Sequence, residues 1–265
     1  MEFTRTWTGN WENAFHGLRH PMESYARSDS EFGIGDSDVW LESCRNEVVY
    51  SYCPEGHENE DFEKKDEWLA KNGELRFGKY AGEYAYIGKN DLDLAQRMIK
   101  AGTPNDKFLR QIFVSVDITA PRYWWSEMDT YKVGTTANST STMHKLASTP
   151  ITIDCFEIDD YEPSLQLIDP VHIDTRISQF IDDLEQLRQL YNQTKDKKYW
   201  KELVRWLPAG WKQTRTWTAN YSVLRNIIYW RQSHKLSEWS QFIDWCKTLP
   251  YSKELLFYNN KIISD

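Results

Sequence analysis

The chain has 265 residues, with 40 Asp+Glu against 32 Lys+Arg and a formal net charge of −8. Apolar residues are 40% and aromatics 15%, too many for a disordered chain and enough for a core of ordinary size. No apolar run reaches the ~18 residues of a bilayer span, Met1-Glu2-Phe3-Thr4-Arg5 opens no secretory h-region, and the net acidity argues against coating of nucleic acid. The expected setting is cytoplasmic, with no membrane contact.

Residues 1–28 hold Trp7, Trp11, Phe15 and Leu18 ahead of Arg19-His20-Pro21, and Pro21 disfavours helix at His20. Asp29 to Asp93 carries 17 Asp/Glu against 7 Lys/Arg, with turn glycines at Gly73, Gly78, Gly82 and Gly88. It reads as a solvated acidic insertion at about 31–88. Asn90-Asp91 starts a helix carrying Leu92, Leu94, Ala95, Met98 and Ile99, which Gly102 and Pro104 end. Ile112 to Ile118 alternates as a strand with one apolar face. Pro121 suits the first turn of a helix from Arg122 to about Lys132, closed by Gly134. Ile151 to Ile158 is expected as a further strand. Helices are expected over about Thr175–Gln193, Lys198–Trp206, 216–233 and 236–247. No internal repeat interrupts this order, which defines an α+β chain.

The four cysteines, Cys44, Cys53, Cys155 and Cys246, are expected as reduced thiols. Cys44, Cys53 and His57 could ligate zinc, but Cys-x8-Cys-x3-His is not a standard module, so no metal is expected. Asp159, Asp160 and Glu162 read as a solvated acidic turn rather than a metal site. Trp124-Trp125 could stack nucleic-acid bases, though aromatics at helical spacing are more commonly core.

Two stretches have the composition of a phosphate site. In Thr135–Thr142, six of eight residues are hydroxylated and Asn138 adds an amide, with Lys132 and His144 flanking. Such a loop offers donors to phosphate oxygens, or simply forms a polar surface. The second stretch runs Leu207-Pro208, Trp217-Thr218-x-Asn220, Leu224, Asn226, Arg231 and His234. On one helix, Asn220, Leu224, Ile227 and Arg231 would share a stripe. The arginine would suit a bidentate hold on phosphate, or else snorkel at the surface.

Together these stretches resemble the flavin-dependent thymidylate synthases, in a diverged, phage-like branch. The likeness runs from about Asn90 to Trp245, with a further piece near Ser24–Ser30. It is carried by Phe113-x-Val-x-Ile-x-Ala120-Pro121, the polar Asn/Ser loop, Leu207-Pro208, Trp217-Thr218-x-Asn220, Leu224, Asn226 and Arg231. The resemblance implies one α+β domain over 1–265, a curved, mainly antiparallel sheet wrapped by helices, assembled as a homotetramer. It implies FAD as cofactor, with NADPH and methylenetetrahydrofolate, and conversion of dUMP to dTMP at C5. The nucleotide-binding positions fall on Arg231, Arg205, Glu127, Ser139, Ser141 and His144, of which Ser141 and Arg231 are catalytic candidates. The flavin positions fall on Thr130, Tyr131, Lys132, Asn138, Asn220, Asn226 and His234.

The signature departs from the family at fixed points. Thr130-Tyr131-Lys132 stands where the family has Arg-His-Arg, Ser139 stands for its Glu, and Met143 for its last Arg. The upstream His-x-Thr-Pro-Phe-Glu-His is replaced by Thr103-Pro104-Asn105-Asp106-Lys107-Phe108-Leu109-Arg110. Three positive side chains thereby become one. The alternative to an enzyme is a homologue that binds a nucleotide or partner without flavin chemistry.

Overall fold

The computed structural model describes residues 1–35, 82–141, 145–158 and 173–260. Cys44, Cys53 and His57, most of the acidic insertion, His144, and the turn at Asp159, Asp160 and Glu162 lie outside the described residues. In chain order the elements are β1 (Glu2–Gly9), α1 (Trp11–Arg19), β2 (Glu31–Gly35), β3 (Gly82–Tyr86) and α2 (Lys89–Ala101). Then come β4 (Phe113–Pro121), α3 (Arg122–Met128), β5 (Thr136–Ser139), α4 (Ile173–Thr194) and α5 (Lys197–Trp206). The chain ends with β6 (Lys212–Asn220), α6 (Tyr221–Arg231) and α7 (Ser237–Lys247). One sheet has the order β1-β4-β6-β5, and β2 and β3 form a separate antiparallel pair. This is the expected α+β class, of mixed helix and antiparallel sheet. Among the described residues no helix is long and apolar enough to cross a membrane.

Side chains fix the register of β4 on β6. Ser115 meets Thr218 at 3.0 Å, Thr216 donates to Asp117 at 2.5 Å, and Thr119 meets Thr214 at 2.7 Å. As one number rises the other falls, which makes the pair antiparallel with these groups on one face. Val114, Val116, Ile118 and Ala120 of β4 bury the other face.

Three sequence expectations are corrected. The helix expected over 216–233 is a strand as far as Asn220, because Thr214, Thr216 and Thr218 alternate and β-branched residues suit the pleat. The expected strand at Ile151–Ile158 is a short 3-10 turn, Ile153–Cys155, with a single bridge from Phe156 to Trp211. Its ladder donors are already used: the Ile151 N–H goes to Glu185, and those of Cys155 and Phe156 go to Thr152 and Ile153. The helix expected to reach Lys132 stops at Met128, where the Thr130 N–H and hydroxyl both return to the Glu127 carbonyl. Trp124 and Trp125 are 0% and 1% exposed, so they are core residues with no face for a base.

The chain divides into two compact units. The first comprises Met1–Glu2, Ile118–Thr130 and Asn138–Arg215. Its apolar cluster joins Leu146, Ile151 and Phe156 to Ile181 and Leu184 of α4 and Leu203 of α5. Arg188 holds Glu185 with Nη2 at 2.6 Å and Nε at 2.7 Å, and with Asn192 it also caps the Ala147 carbonyl. The hydrogen bond from Arg188 is the main cause that lowers the Glu185 carboxyl to about 2; burial opposes it, and the Ile151 N–H and Gln189 add to it.

The second unit comprises Phe3–Asp117, Tyr131–Ala137 and Thr216–Asp265. Trp11, Ala14, Phe15 and Leu18 recur at helical spacing and form the buried face of α1. They belong to a core with Ile99, Leu109, Tyr221, Leu224, Trp239 and Phe242. Pro21 does not exclude helical backbone at His20, which keeps φ −54 and ψ −45: α1 ends at Arg19 and the chain continues as a 3-10 turn over His20–Met22. A buried pair pins the segment after α1 to α2, with Arg19 Nε donating to Asp91 Oδ1 at 2.6 Å. Ser28 and Ser30 hydroxyls donate to Asp91 Oδ2 at 2.7 and 2.6 Å. Asp29 in turn accepts from the Asn90 and Asp91 N–H groups at the start of α2.

Candidate functional site

Of the sequence-derived residues, the second unit brings together Arg231, Tyr131 and His234, with Asn220 capping the opposite end of α6. Asn220 ends β6 and caps α6, its side-chain oxygen accepting from Val223 N at 3.0 Å. It therefore precedes the helical stripe rather than belonging to it, and its oxygen serves the helix. Leu224 and Ile227 are fully buried, which anchors the stripe and carries its far end to Arg231. Arg231 is in the last turn, where a cation complements the helix dipole.

The loop after α3 delivers Tyr131 to that arginine. Gly134 takes φ +77, a left-handed conformation, and a Cβ there would lie 3.1 Å from Asn220 Nδ2 and 3.2 Å from Val223 Cγ2. The Thr135 hydroxyl donates to the Tyr131 carbonyl at 2.7 Å and closes the turn. Tyr131 Oη then accepts from Arg231 Nε at 2.9 Å. The guanidinium carbon lies 4.6 Å from the Trp239 ring centre and 5.5 Å from that of Tyr131. His234 meets Trp239 edge-on at 6.1 Å, and its Nδ1 accepts from Leu236 N at 3.2 Å. Two rings and one hydroxyl thus set the plane of a half-buried guanidinium whose fork matches phosphate oxygens.

Trp239 was not identified from the sequence. It lies on α7, outside the particular positions that carry the family likeness, and an aromatic at helical spacing signals only a core position. The resemblance places Tyr131 at a flavin position, and its hydroxyl here accepts from Arg231.

The remaining candidates are distributed as follows. In the second unit, Lys132 and Asn226 are exposed. In the first unit, Asn138 and Ser139 are exposed on β5, Ser141 follows it half-buried, and Glu127 is half-buried on α3. The Thr130 hydroxyl is bound to the Glu127 carbonyl. Arg205 is exposed on α5 and paired with Glu202 of the same helix, as a surface arginine would be. A cavity of about 400 Å³ in the first unit, lined by Asp154, Cys155, Glu157, Trp211 and Lys212 among others, contains none of the sequence-derived site residues.

The flavin set can be tested against these contacts. FAD carries a pyrophosphate, which calls for opposing cations. Of the slot at 130–132, Thr130 is satisfied by backbone, Tyr131 is engaged by Arg231, and only Lys132 is cationic. The residues present do not fit FAD by the family's charged contacts.

No family model matches the sequence, and no curated protein matches it. Solved structures do match. One is thymidylate synthase X from Helicobacter pylori with FAD and dUMP, at TM-score 0.58 and 14% identity, covering 98% of this chain and 99% of that one. Another is the flavin-dependent thymidylate synthase of the same organism complexed with FAD and dUMP. It matches at TM-score 0.55 and 15% identity, covering 99% and 100%. Over its full length the chain is similar in fold to flavin-dependent thymidylate synthases.

Proposed function

We propose that this chain binds a pyrimidine nucleotide through its phosphate at Arg231. The observation that carries the reading is the arginine's mounting: Nε fixed on Tyr131 Oη, and the guanidinium carbon 4.6 Å from the Trp239 ring centre. A guanidinium whose plane is held can set two parallel N–H groups against two phosphate oxygens. Ordering that side chain in advance lowers the entropic cost of binding. The similar structures were solved with dUMP, which makes it the first nucleotide to try. A thermal-shift series with dUMP, deoxyuridine and inorganic phosphate tests this. Stabilisation by dUMP well beyond the other two is expected; equal shifts from dUMP and deoxyuridine would remove the phosphate from the account.

A second reading is the enzyme: FAD-dependent C5 modification of the bound nucleotide, with NADPH and methylenetetrahydrofolate, in a homotetramer. It is favoured by the fold and by polar residues kept exposed at carried-over positions, Lys132, Asn226, Asn138 and Ser139. The first reading fits the site better, because the cationic slot is reduced to one ammonium. An absorption spectrum with added FAD and dUMP separates the two. A bound-flavin spectrum with turnover of dUMP favours the enzyme; nucleotide binding without bound flavin favours the binding homologue.

A further inference from the structure

We propose that His16 and His20 form a binding site for a divalent transition metal, with Tyr25 as the residue that orients His20. The pair belongs to no part of the Arg231 site. His16 is in the last turn of α1, and His20 follows it with helical dihedrals of φ −54 and ψ −45. Four residues apart on continuous helical backbone, the two rings project from one face, as in helical His pairs that chelate zinc. Both residues are exposed and so accessible to an ion from solvent.

The two rings meet edge to face at the separation a chelate requires. The imidazole centroids are 4.8 Å apart, with planes at 78°. A metal bound at about 2.0–2.1 Å by one nitrogen of each ring lies about 3 Å from each ring centre, which puts the centres about 5 Å apart at a near-tetrahedral angle. Metal-bound histidines are characteristically steadied by a hydrogen bond at the other ring nitrogen. That bond is present here: His20 Nδ1 is paired with the Tyr25 hydroxyl. With Nδ1–H donating to Oη, the lone pair is on Nε2. The Tyr25 ring also stacks on His16, centroids 4.9 Å apart and planes at 21°.

The support for Tyr25 is itself fixed. It opens the 3-10 turn Tyr25–Arg27, and Arg19 donates from Nη1 to the Ser24 carbonyl at 3.4 Å and from Nη2 to the Arg27 carbonyl at 3.1 Å. Arg19 is neutralised by the buried Asp91, so its charge does not repel an incoming cation. The site therefore rests on the buried pair that pins this segment to α2.

Two neutral imidazoles select the metal. Nitrogen donors favour Cu²⁺, Ni²⁺ and Zn²⁺, and disfavour Mg²⁺ and Ca²⁺, which prefer oxygen. Among the described residues no three His, Cys, Asp or Glu side chains converge, so this pair would be completed by water. Copper and nickel should bind more tightly than their weaker neighbours in the divalent series.

The test is calorimetric titration of the full chain with NiCl₂, with MgCl₂ as control, on wild type, His16→Gln, His20→Gln and Tyr25→Phe. One Ni²⁺ per chain is expected, no Mg²⁺ heat, a loss of more than about tenfold in either histidine variant, and a smaller loss in Tyr25→Phe. Metal-free melting curves should be unchanged in the histidine variants, which separates lost ligation from lost folding. Histidine signals of the wild-type protein should broaden selectively for two residues when paramagnetic Ni²⁺ is added. Undiminished Ni²⁺ affinity in the His16→Gln, His20→Gln double variant, or no Ni²⁺ uptake by wild type, would overturn the proposal.

Discussion

Arg231 is oriented in part by two aromatic neighbours. Tyr131 accepts from Nε at 2.9 Å, and Trp239 packs against the guanidinium. Tyr131→Phe keeps the ring and removes the hydroxyl, so nucleotide affinity should fall by roughly 0.5–1.5 kcal/mol, the worth of one hydrogen bond. Titration calorimetry with dUMP measures this, and an unchanged Kd would separate Tyr131 from the site. Elsewhere, two carboxylates govern the acid limb of stability. Burial acts to raise the Asp91 carboxyl, but hydrogen bonds from Ser30, Ser28 and Arg19 outweigh it and leave it below the ordinary value. Glu185, bound by Arg188, is lowered to about 2. For both groups the folded pKa lies below the unfolded one. Their stabilisation is complete above the unfolded value and is lost as pH falls through the folded one. Glu185→Gln should therefore flatten the decline in stability between its ordinary value of 4.5 and about 2, read by urea denaturation across that window. Asp91→Asn should cost more at neutral pH, about 3–5 kcal/mol, because it leaves Arg19 buried without its carboxylate.

Between β6 and α6, one residue changes the secondary structure and caps the helix. Asn220→Ala removes the acceptor for Val223 N and should cost about 1 kcal/mol. That should lower the melting temperature by about 2–4 °C in a chain of this size. Gly134→Ala forces a Cβ into φ +77 and to 3.1 Å from Asn220 Nδ2, so it should lower both stability and dUMP affinity by displacing Tyr131. At this scale the sequence is legible where periodicity and punctuation agree. The alternation of β4 and the stop of α2 at Gly102 are both visible in the sequence. The β6–α6 boundary is not, because Trp217, Ala219 and Leu224 suit either period, and Asn220 reads as a helical position until its cap is seen. The Ile151–Ile158 turn was hidden for a different reason. Its would-be ladder donor is taken by Glu185, a residue 34 positions away.

For the whole molecule, the acidic total conceals a division. Lys195 to Lys235 holds ten Lys/Arg against two Asp/Glu, and this basic stretch carries Arg231. An overall charge of −8 is thus compatible with a nucleotide phosphate. The fold class was legible from element order, and the fold matches thymidylate synthase X structures at only 14–15% identity. The arginine site was half legible: spacing exposed Arg231 and Asn220, but Trp239 and the Tyr131 hydroxyl are joined to it only by tertiary packing. The reduced cationic slot predicts that the purified protein shows no bound-flavin absorption without added FAD; a yellow preparation would instead favour the enzyme reading. The central claim is phosphate recognition by the mounted arginine, and calorimetric titration of dUMP into wild type and Arg231→Ala tests it most directly. Saturable binding by wild type and a loss of more than about tenfold in Arg231→Ala, the scale of a charge-assisted contact, is predicted. No binding by wild type, or equal affinity in both proteins, would contradict it.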